Sequence, residues 1–363
     1  MIMKKMIKLF DPSIGKEEEI AIKHVLRSKN WASGAGLGKV AEFENNFKKY
    51  TDSKECIAVN SGTAALNLAL SMYSIKGKEV ILPSMTFVAT ANAVVMNGGK
   101  PVFADIDEDT LNVSLDEIKS KISQKTKIIL PVHFGGLSCD MEGIQSLAKK
   151  NNLKIVEDAA HAAGSKYKNS KIGSHGHAVC FSFHPVKNLA MPTGGLISIN
   201  EKNGKRMREI LLAKRWCGIT NRKGTDYDVK DIGDNYYMNE FSASIGIIQL
   251  KKLDKLNSIR KRIAKRFSSE LNLQTKSKFD KDCSYHLYWI IVKNREKFRN
   301  KMFENGIETG THYKPVHKMS RYKSKKKLEN TEKIGNKIVT IPCHPNLNNS
   351  QIDKIIKTVN KYS

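Results

Sequence analysis

Three short stretches of this chain carry residue types that can bind and transform a charged small molecule. Asn60-Ser61-Gly62-Thr63-Ala64-Ala65-Leu66 ends an apolar run and opens a helical one. Gly62 lets the backbone approach a ligand, the helix start offers free N–H groups to an anion, and Thr63 adds a hydroxyl. A Ser or Thr there is also an ordinary helix cap. Glu157-Asp158-Ala159-Ala160-His161 closes the run KIV. Two acids and an imidazole at a strand end suit a metal, an acid–base pair or the ring nitrogen of a cofactor. A metal would need further ligands, and none is expected. In Ser182-Phe183-His184-Pro185-Val186-Lys187-Asn188, followed by Gly194-Gly195, a lone lysine sits in a tight turn after an apolar strand. A lysine so placed loses solvation, lowers its pKa and can act as a nucleophile. A phosphate cradle, an acid for a ring nitrogen and a Schiff-base lysine are the three parts that pyridoxal 5'-phosphate (PLP) requires.

The elements that must position these groups follow from the apolar pattern. ECIAV, EVILP, PVFADI, IILPVHF and KIVED read as strands, with helices at TAALNLALSMY, FVATANAVVMNG, SLDEIKSKI and MEGIQSLAKK between them. That alternation predicts a parallel α/β sheet, which binds ligands at the carboxyl ends of its strands. Ser114 three residues before Glu117 has capping-box spacing. VCFSF and GLISI leave no room for a crossover helix, so they are expected to pair antiparallel. Beyond residue 200 the sequence predicts a helix at KRMREILLAKRW, a polar loop through NRKGTDYDVKDIGDN and a long helix from about Asn239 to Phe267. An α+β tail follows, with a strand at YHLYWIIV and helices at EKFRNKMFENG and SQIDKIIKTVNKY. The expected domains are 1–250 and 251–363.

Composition narrows the class. The 363 residues are 40% hydrophobic, enough for a core, and carry 62 Lys+Arg against 36 Asp+Glu, a formal charge of +26. The excess is uneven: residues 1–200 hold 25 basic and 19 acidic residues, residues 201–363 hold 37 and 17. Local clusters occur at Lys261-Arg262, Lys265-Arg266 and Arg321 to Lys327, but most basic residues are dispersed, as on a solvated surface. No helix-turn-helix or aromatic-interleaved basic strand appears, so no nucleic-acid partner is expected. The start MIMKKMIKLFDPS lacks a signal-like apolar stretch, and no run is long enough to span a membrane. Six scattered cysteines without a CxxC pair suggest reduced thiols and a cytoplasmic protein.

SGTAAL, PSMTFVATANAV, PVFADID, EDAAHAAG, FSFHPVKN and YYMNEFSASIGIIQL together resemble the DegT/DnrJ/EryC1/StrS family of nucleotide-sugar aminotransferases, in order from about Ile7 to the C-terminus. The resemblance implies a fold-type I PLP-dependent aminotransferase: a large domain with a mixed seven-stranded sheet, a small α+β C-terminal domain, and a homodimer with cofactor sites at the subunit interface. It also implies roles. Lys187 would bind the cofactor covalently and move the proton of the 1,3-shift, and Asp158 would pair with the pyridine nitrogen. His161 stands where the family has Gln or His close to the ring and its phenolic oxygen. Phe87 would stack on the ring. Gly62, Thr63 and Ser182 would contact the phosphate, and Asn239 would reach it from the neighbouring subunit. His312 and Tyr313 would line the sugar site. The implied substrates are a keto-sugar, nucleotide-linked, and an amino donor, L-glutamate, with PLP and its amine form PMP alternating. Ala190-Met191-Pro192-Thr193 replaces the family's polar TTGE, and Arg215-Trp216-Cys217-Gly218 is an unusual rendering of its segment. The alternatives are a related PLP-dependent sugar dehydratase, which carries His in place of Lys187, and a non-enzymatic basic regulator.

Overall fold

The computed structural model describes residues 6–324 and 326–363; the basic opening 1–5 and Lys325 of the Arg321–Lys327 cluster lie outside them. Two helices that the apolar pattern did not reveal, α1 (Lys16–Ser28) and α2 (Lys39–Thr51), come first. Then β1 (Glu55–Val59), β2 (Glu79–Pro83), β3 (Lys100–Ala104), β4 (Thr126–Ile129) and β5 (Lys154–Asp158) alternate with α3 (Gly62–Ser71), α4 (Ala89–Met96), α5 (Leu115–Lys121) and α6 (Met141–Lys150). A small ribbon, β6 (Lys166–Tyr167) and β7 (Ser170–Lys171), precedes β8 (Ala178–Ser182) and β9 (Gly195–Ile199).

β1, β2, β4, β5, β8 and β9 are buried on both faces, hence their apolar runs. Along β1, Ile57 and Val59 face the cluster that includes Leu66 and Leu70 of α3. Cys56 and Ala58 face Phe43 and Phe47 of α2 and Ile247 further along the chain. The result is a sheet between two helical layers. Seven strands run in the order β1-β9-β8-β5-β4-β2-β3. All neighbours are parallel except β9, which is antiparallel to both β1 and β8. The expected antiparallel pair is therefore present, and it makes the sheet mixed.

The second half departs from expectation in a hairpin, in a helix and a strand added to the tail, and at the domain boundary. After α7 (Gly204–Lys214), the segment read as a polar loop contains a hairpin, β10 (Ile219–Lys223) with β11 (Asp226–Val229). Its strands are almost wholly exposed, so no apolar alternation marks them. α8 (Glu240–Glu270) follows with Asn239 as its cap. The tail comprises β12 (Tyr288–Ile291), α9 (Arg295–Glu304), α10 (Glu329–Gly335), β13 (Ile338–Ile341) and α11 (Asn349–Tyr362). The expected domain division at 250/251 falls inside α8, whose first half packs on the large sheet and whose second half packs on β12, β13 and α11. The capping box at Ser114 is half formed. Its hydroxyl accepts from Glu117 N, but the Glu117 carboxylate accepts from Asp105 N instead of returning to the cap. No helix among the described residues is long and apolar enough to cross a membrane.

A buried ion pair fixes the end of β1 next to the Ser61 turn. Arg215, fully buried, donates from Nη1 to Glu44 Oε1 at 2.8 Å and to the Ala58 carbonyl at 2.9 Å. Glu44 also accepts from Ala58 N, so both polar groups of Ala58 are held. Glu44 is also held by Arg208 Nη2 at 2.8 Å, so losing Arg215 leaves it paired, whereas losing Glu44 strands the Arg215 charge in the core. Glu44→Leu should destabilise the protein by about 3–5 kcal/mol, and the pair Glu44→Leu with Arg215→Met by less than the single change. Urea unfolding followed by circular dichroism tests this; a loss below about 1 kcal/mol for the single variant would refute it.

Candidate active site

The carboxyl ends of β1, β5 and β8 open into one cavity of about 330 Å³. Nine of the ten expected site residues line it: Gly62, Thr63, Phe87, Asp158, His161, Ser182, Lys187, His312 and Tyr313. Asn239 does not. On its own chain its side-chain oxygen caps α8, accepting from Ser242 N at 2.8 Å.

The anion cradle is built at the start of α3. Ser61 is the cap, accepting from Ala64 N at 3.1 Å, which leaves Thr63's hydroxyl and the N–H groups of Gly62 and Thr63 for a ligand. A Cβ on Gly62 would lie 2.6 Å from Ser182 Cβ, so only glycine lets β8 close on the helix start.

Strand alternation separates the two acids of Glu157-Asp158. Glu157 turns away from the cavity to His133, 2.7 Å from its Nε2, and to Gly176 N. His133 Nδ1 accepts from Cys139 N, so the proton lies on Nε2 and is donated to Glu157. Asp158 faces the cavity, accepting from Thr90 Oγ1 at 2.8 Å and from Ala160 N at 3.1 Å. Burial raises its pKa despite these bonds and despite Lys187, so the carboxylate stands under-compensated.

Lys187 lies in the turn between β8 and β9. Burial pulls its pKa down to about 8, against the opposing pull of Asp158. Lys187 N donates to His184 O at 2.8 Å, and Asn188 Nδ2 donates to Asn257 Oδ1 and to Ser284 O, both at 2.9 Å, so the turn is anchored on α8 and on the tail. Of Ala190-Met191-Pro192-Thr193, Ala190 and Met191 are buried; Thr193 lines the cavity and donates to Asn60 O.

The remaining wall is aromatic. His161 Nε2 lies 2.9 Å from Tyr313 Oη, and His312 Nδ1 lies 2.7 Å from Thr340 Oγ1 of β13. Burial first, and Lys187 second, hold His312 at about 4 and His161 well below its ordinary range, so both are neutral. Phe87, more than half exposed, covers the mouth 6.1 Å from Tyr313. Sequence reasoning missed Thr90, Gly135 and His286. Thr90 was discoverable: it stands in the first turn of α4, four residues after Thr86, and the two hydroxyls meet at 2.8 Å. Nothing in the local pattern marks Gly135, which donates to His161 Nδ1, or His286, whose ring lies 4.5 Å from that of His161.

A mixed seven-stranded sheet with a lysine, an aspartate and an anion cradle at its switch point defines the PLP-dependent enzymes of fold type I. Residues 12–360 match the DegT/DnrJ/EryC1/StrS aminotransferase family. The chain belongs to this family and is a PLP-dependent aminotransferase. It is similar to GDP-perosamine synthase of Escherichia coli, 34% identical over 366 residues and 99% of each chain. Among solved structures it resembles Helicobacter pylori PseC, an aminotransferase involved in the biosynthesis of pseudoaminic acid, with a TM-score of 0.91, 28% identity and 99% of each chain covered. It also resembles Spr1654 of Streptococcus pneumoniae in its PLP form, with a TM-score of 0.93, 27% identity and 98% of each chain covered. The residues fit the cofactor: a glycine-dependent cradle for its phosphate, a buried acid lacking a cation, and an amine of lowered pKa.

The lysine sets a pH dependence. If Lys187 takes up PLP through its free amine, the capture rate should rise with pH through about 8 and level off above it. Asp158 raises the pKa of Lys187, so Asp158→Asn should move the inflection to lower pH. Stopped-flow absorbance across this range tests both; an inflection near the ordinary lysine value would contradict them.

Proposed function

We propose that this aminotransferase moves an amino group from L-glutamate to the ketone of a nucleotide-linked keto-sugar, as a cytoplasmic homodimer in amino-sugar synthesis. The observation that carries the reading is Lys187 at a lowered pKa in the same cavity as Asp158 and the α3 cradle. PLP, when bound, supplies an electron sink for the bonds around the amino carbon. The chain supplies the rest. Gly62 and Thr63 N–H groups with the Thr63 and Ser182 hydroxyls would hold the phosphate. Asp158, kept in place by Thr90 and Ala160, would keep a proton on the ring nitrogen. Lys187 Nζ takes the proton from the donor's α-carbon and returns it one position along. The neutral His161 and His312 with Tyr313 line the sugar side, and the relatives named for perosamine and pseudoaminic acid synthesis support a sugar acceptor. Unpaired cysteines suit a reducing compartment. Lys187 favours transamination over the dehydratase alternative, because the lysine both carries the cofactor and moves the proton.

Incubation with glutamate should release 2-oxoglutarate and leave the amine form of the cofactor. Lys187→Ala should abolish turnover and the mass gain at this residue after borohydride reduction. A variant that keeps both, or a wild type that releases no 2-oxoglutarate with any keto-sugar nucleotide, would sink the reading.

Asn239 supports the dimer. Its amide NH2 has no partner among the described residues. Trp31, which packs on Phe241, and nearby Leu37 remain half-exposed or more. Such apolar exposure marks a surface to be covered. If Asn239 completes the site of a second protomer, mixing Lys187→Ala with Asn239→Ala chains should restore roughly a quarter of wild-type turnover, since half the dimers then carry one intact site. No recovery after subunit exchange would exclude the shared site.

A further inference from the structure

Fixed donors and acceptors give the aromatic wall of the cavity a direction. Gly135 N points at His161 Nδ1 from 3.3 Å. A backbone N–H can only donate, so Nδ1 carries the lone pair and a neutral imidazole keeps its proton on Nε2, 2.9 Å from Tyr313 Oη. His161 stays neutral because burial, followed by Lys187 and His312, pushes its pKa well down. The ring is held between Phe134 and His286, and Ser284 Oγ donates to its carbonyl at 3.1 Å. His161 Nε2–H therefore donates to Tyr313, and the hydroxyl proton of Tyr313 is left for whatever occupies the cavity. Burial, with the Asp158 charge, pushes the phenol pKa up, so that proton is retained.

We infer that Tyr313 is a one-way hydrogen-bond donor into the cavity, aimed by Gly135 through His161, and that it favours a ligand's carbonyl oxygen over the ammonium group that replaces it. The inference rests on the keto-sugar reading above. A ketone offers lone pairs and no proton; an ammonium offers protons and no lone pair. With its oxygen already receiving the His161 proton, Tyr313 suits the first and mismatches the second, an arrangement that holds the substrate and loosens the product. Glutamine at 161 would keep the same polarity, its oxygen accepting from Gly135 and its NH2 donating to Tyr313. An ionised glutamate would accept at both ends and take the Tyr313 proton for itself.

Two measurements test this. In enzyme loaded with cofactor but without sugar, ¹⁵N spectra of labelled histidine should show His161 with a bare Nδ1 and a protonated Nε2 at neutral pH. The second measurement is calorimetric and uses GDP-perosamine and the ketone with a carbonyl in place of its amine. Each is bound to the cofactor form with which it cannot react: the amine to the PMP form, the ketone to the PLP form. Tyr313→Phe should weaken the ketone about tenfold and the amine less than about twofold. His161→Gln should keep the wild-type preference, and His161→Glu should erase or invert it. A proton on Nδ1, an imidazolium, or equal weakening of both ligands by Tyr313→Phe would overturn the inference. Because the tautomer is read without sugar, the wrong tautomer strikes the relay alone. Failure of every keto-sugar nucleotide to be aminated, with the expected tautomer present, strikes the substrate reading instead.

Discussion

A single strand running against its neighbours organises this molecule. β9 lies between β1 and β8 and is antiparallel to both, so its first residue meets the carboxyl ends of the other two. Gly195 pairs with both Val59 and Ser182, and a Cβ there would fall 2.3 Å from the Ser61 carbonyl. A parallel β9 would have required the chain to cross to the opposite edge of the sheet before returning. Instead the turn 183–194 never leaves the carboxyl edge. Lys187 is thereby kept beside the α3 start and one strand away from Asp158, and the strand ends close too tightly for a side chain at Gly62.

This convergence is electrostatically unfavourable for the acid and the amine themselves, and the chemistry depends on that. Burial raises the acid and lowers the amine, each shift working against its charged form. The polar groups nearby relieve them only partly: Thr90 and Ala160 bond Asp158, while Lys187 has only the carboxylate's attraction. A ligand carrying a protonated ring nitrogen and an electrophilic carbon satisfies both groups at once. Preorganisation of this kind is carried by supporting residues. Asn188 ties the turn to α8 and the tail, and Arg215 with Glu44 holds the end of β1.

The sequence made legible what depends on local pattern. Buried strands of the parallel sheet appear as apolar runs, and ligand-facing residues sit where those runs stop, so β1, β5 and β8 with Gly62, Asp158 and Lys187 could be read directly. What escaped obeys other constraints. The β10–β11 hairpin is exposed on both faces and has no apolar period. α1 and α2 were hidden because their buried stripes are narrow among many charges, with Glu18 itself buried against Lys252. Glu157 was grouped with Asp158, yet the period-2 alternation of β5 sends it to His133 on the other side. Gly135 and His286 reach His161 from segments distant in sequence, and only the folded chain brings them there.

The chain's net charge of +26 also takes a different meaning inside the cavity. Burial curtails positive charge there: His312 is held at about 4 and His161 lower than its ordinary range, so both are neutral, and Lys187 is brought down to about 8. Surface lysines more than about 10 Å away are screened at physiological salt. On the proposed reading, anion binding at α3 rests on aligned N–H groups and hydroxyls, and selection on the sugar side on neutral donors of fixed direction. Neutral donors read where a proton sits on the ligand, whereas a surface field reads only its charge. A ketone and the ammonium that replaces it differ in both respects, but only the proton pattern tells the aromatic wall which oxygen or nitrogen it faces. That demand for direction explains why His161 is packed on three sides and supplied with a backbone donor, rather than left free to titrate.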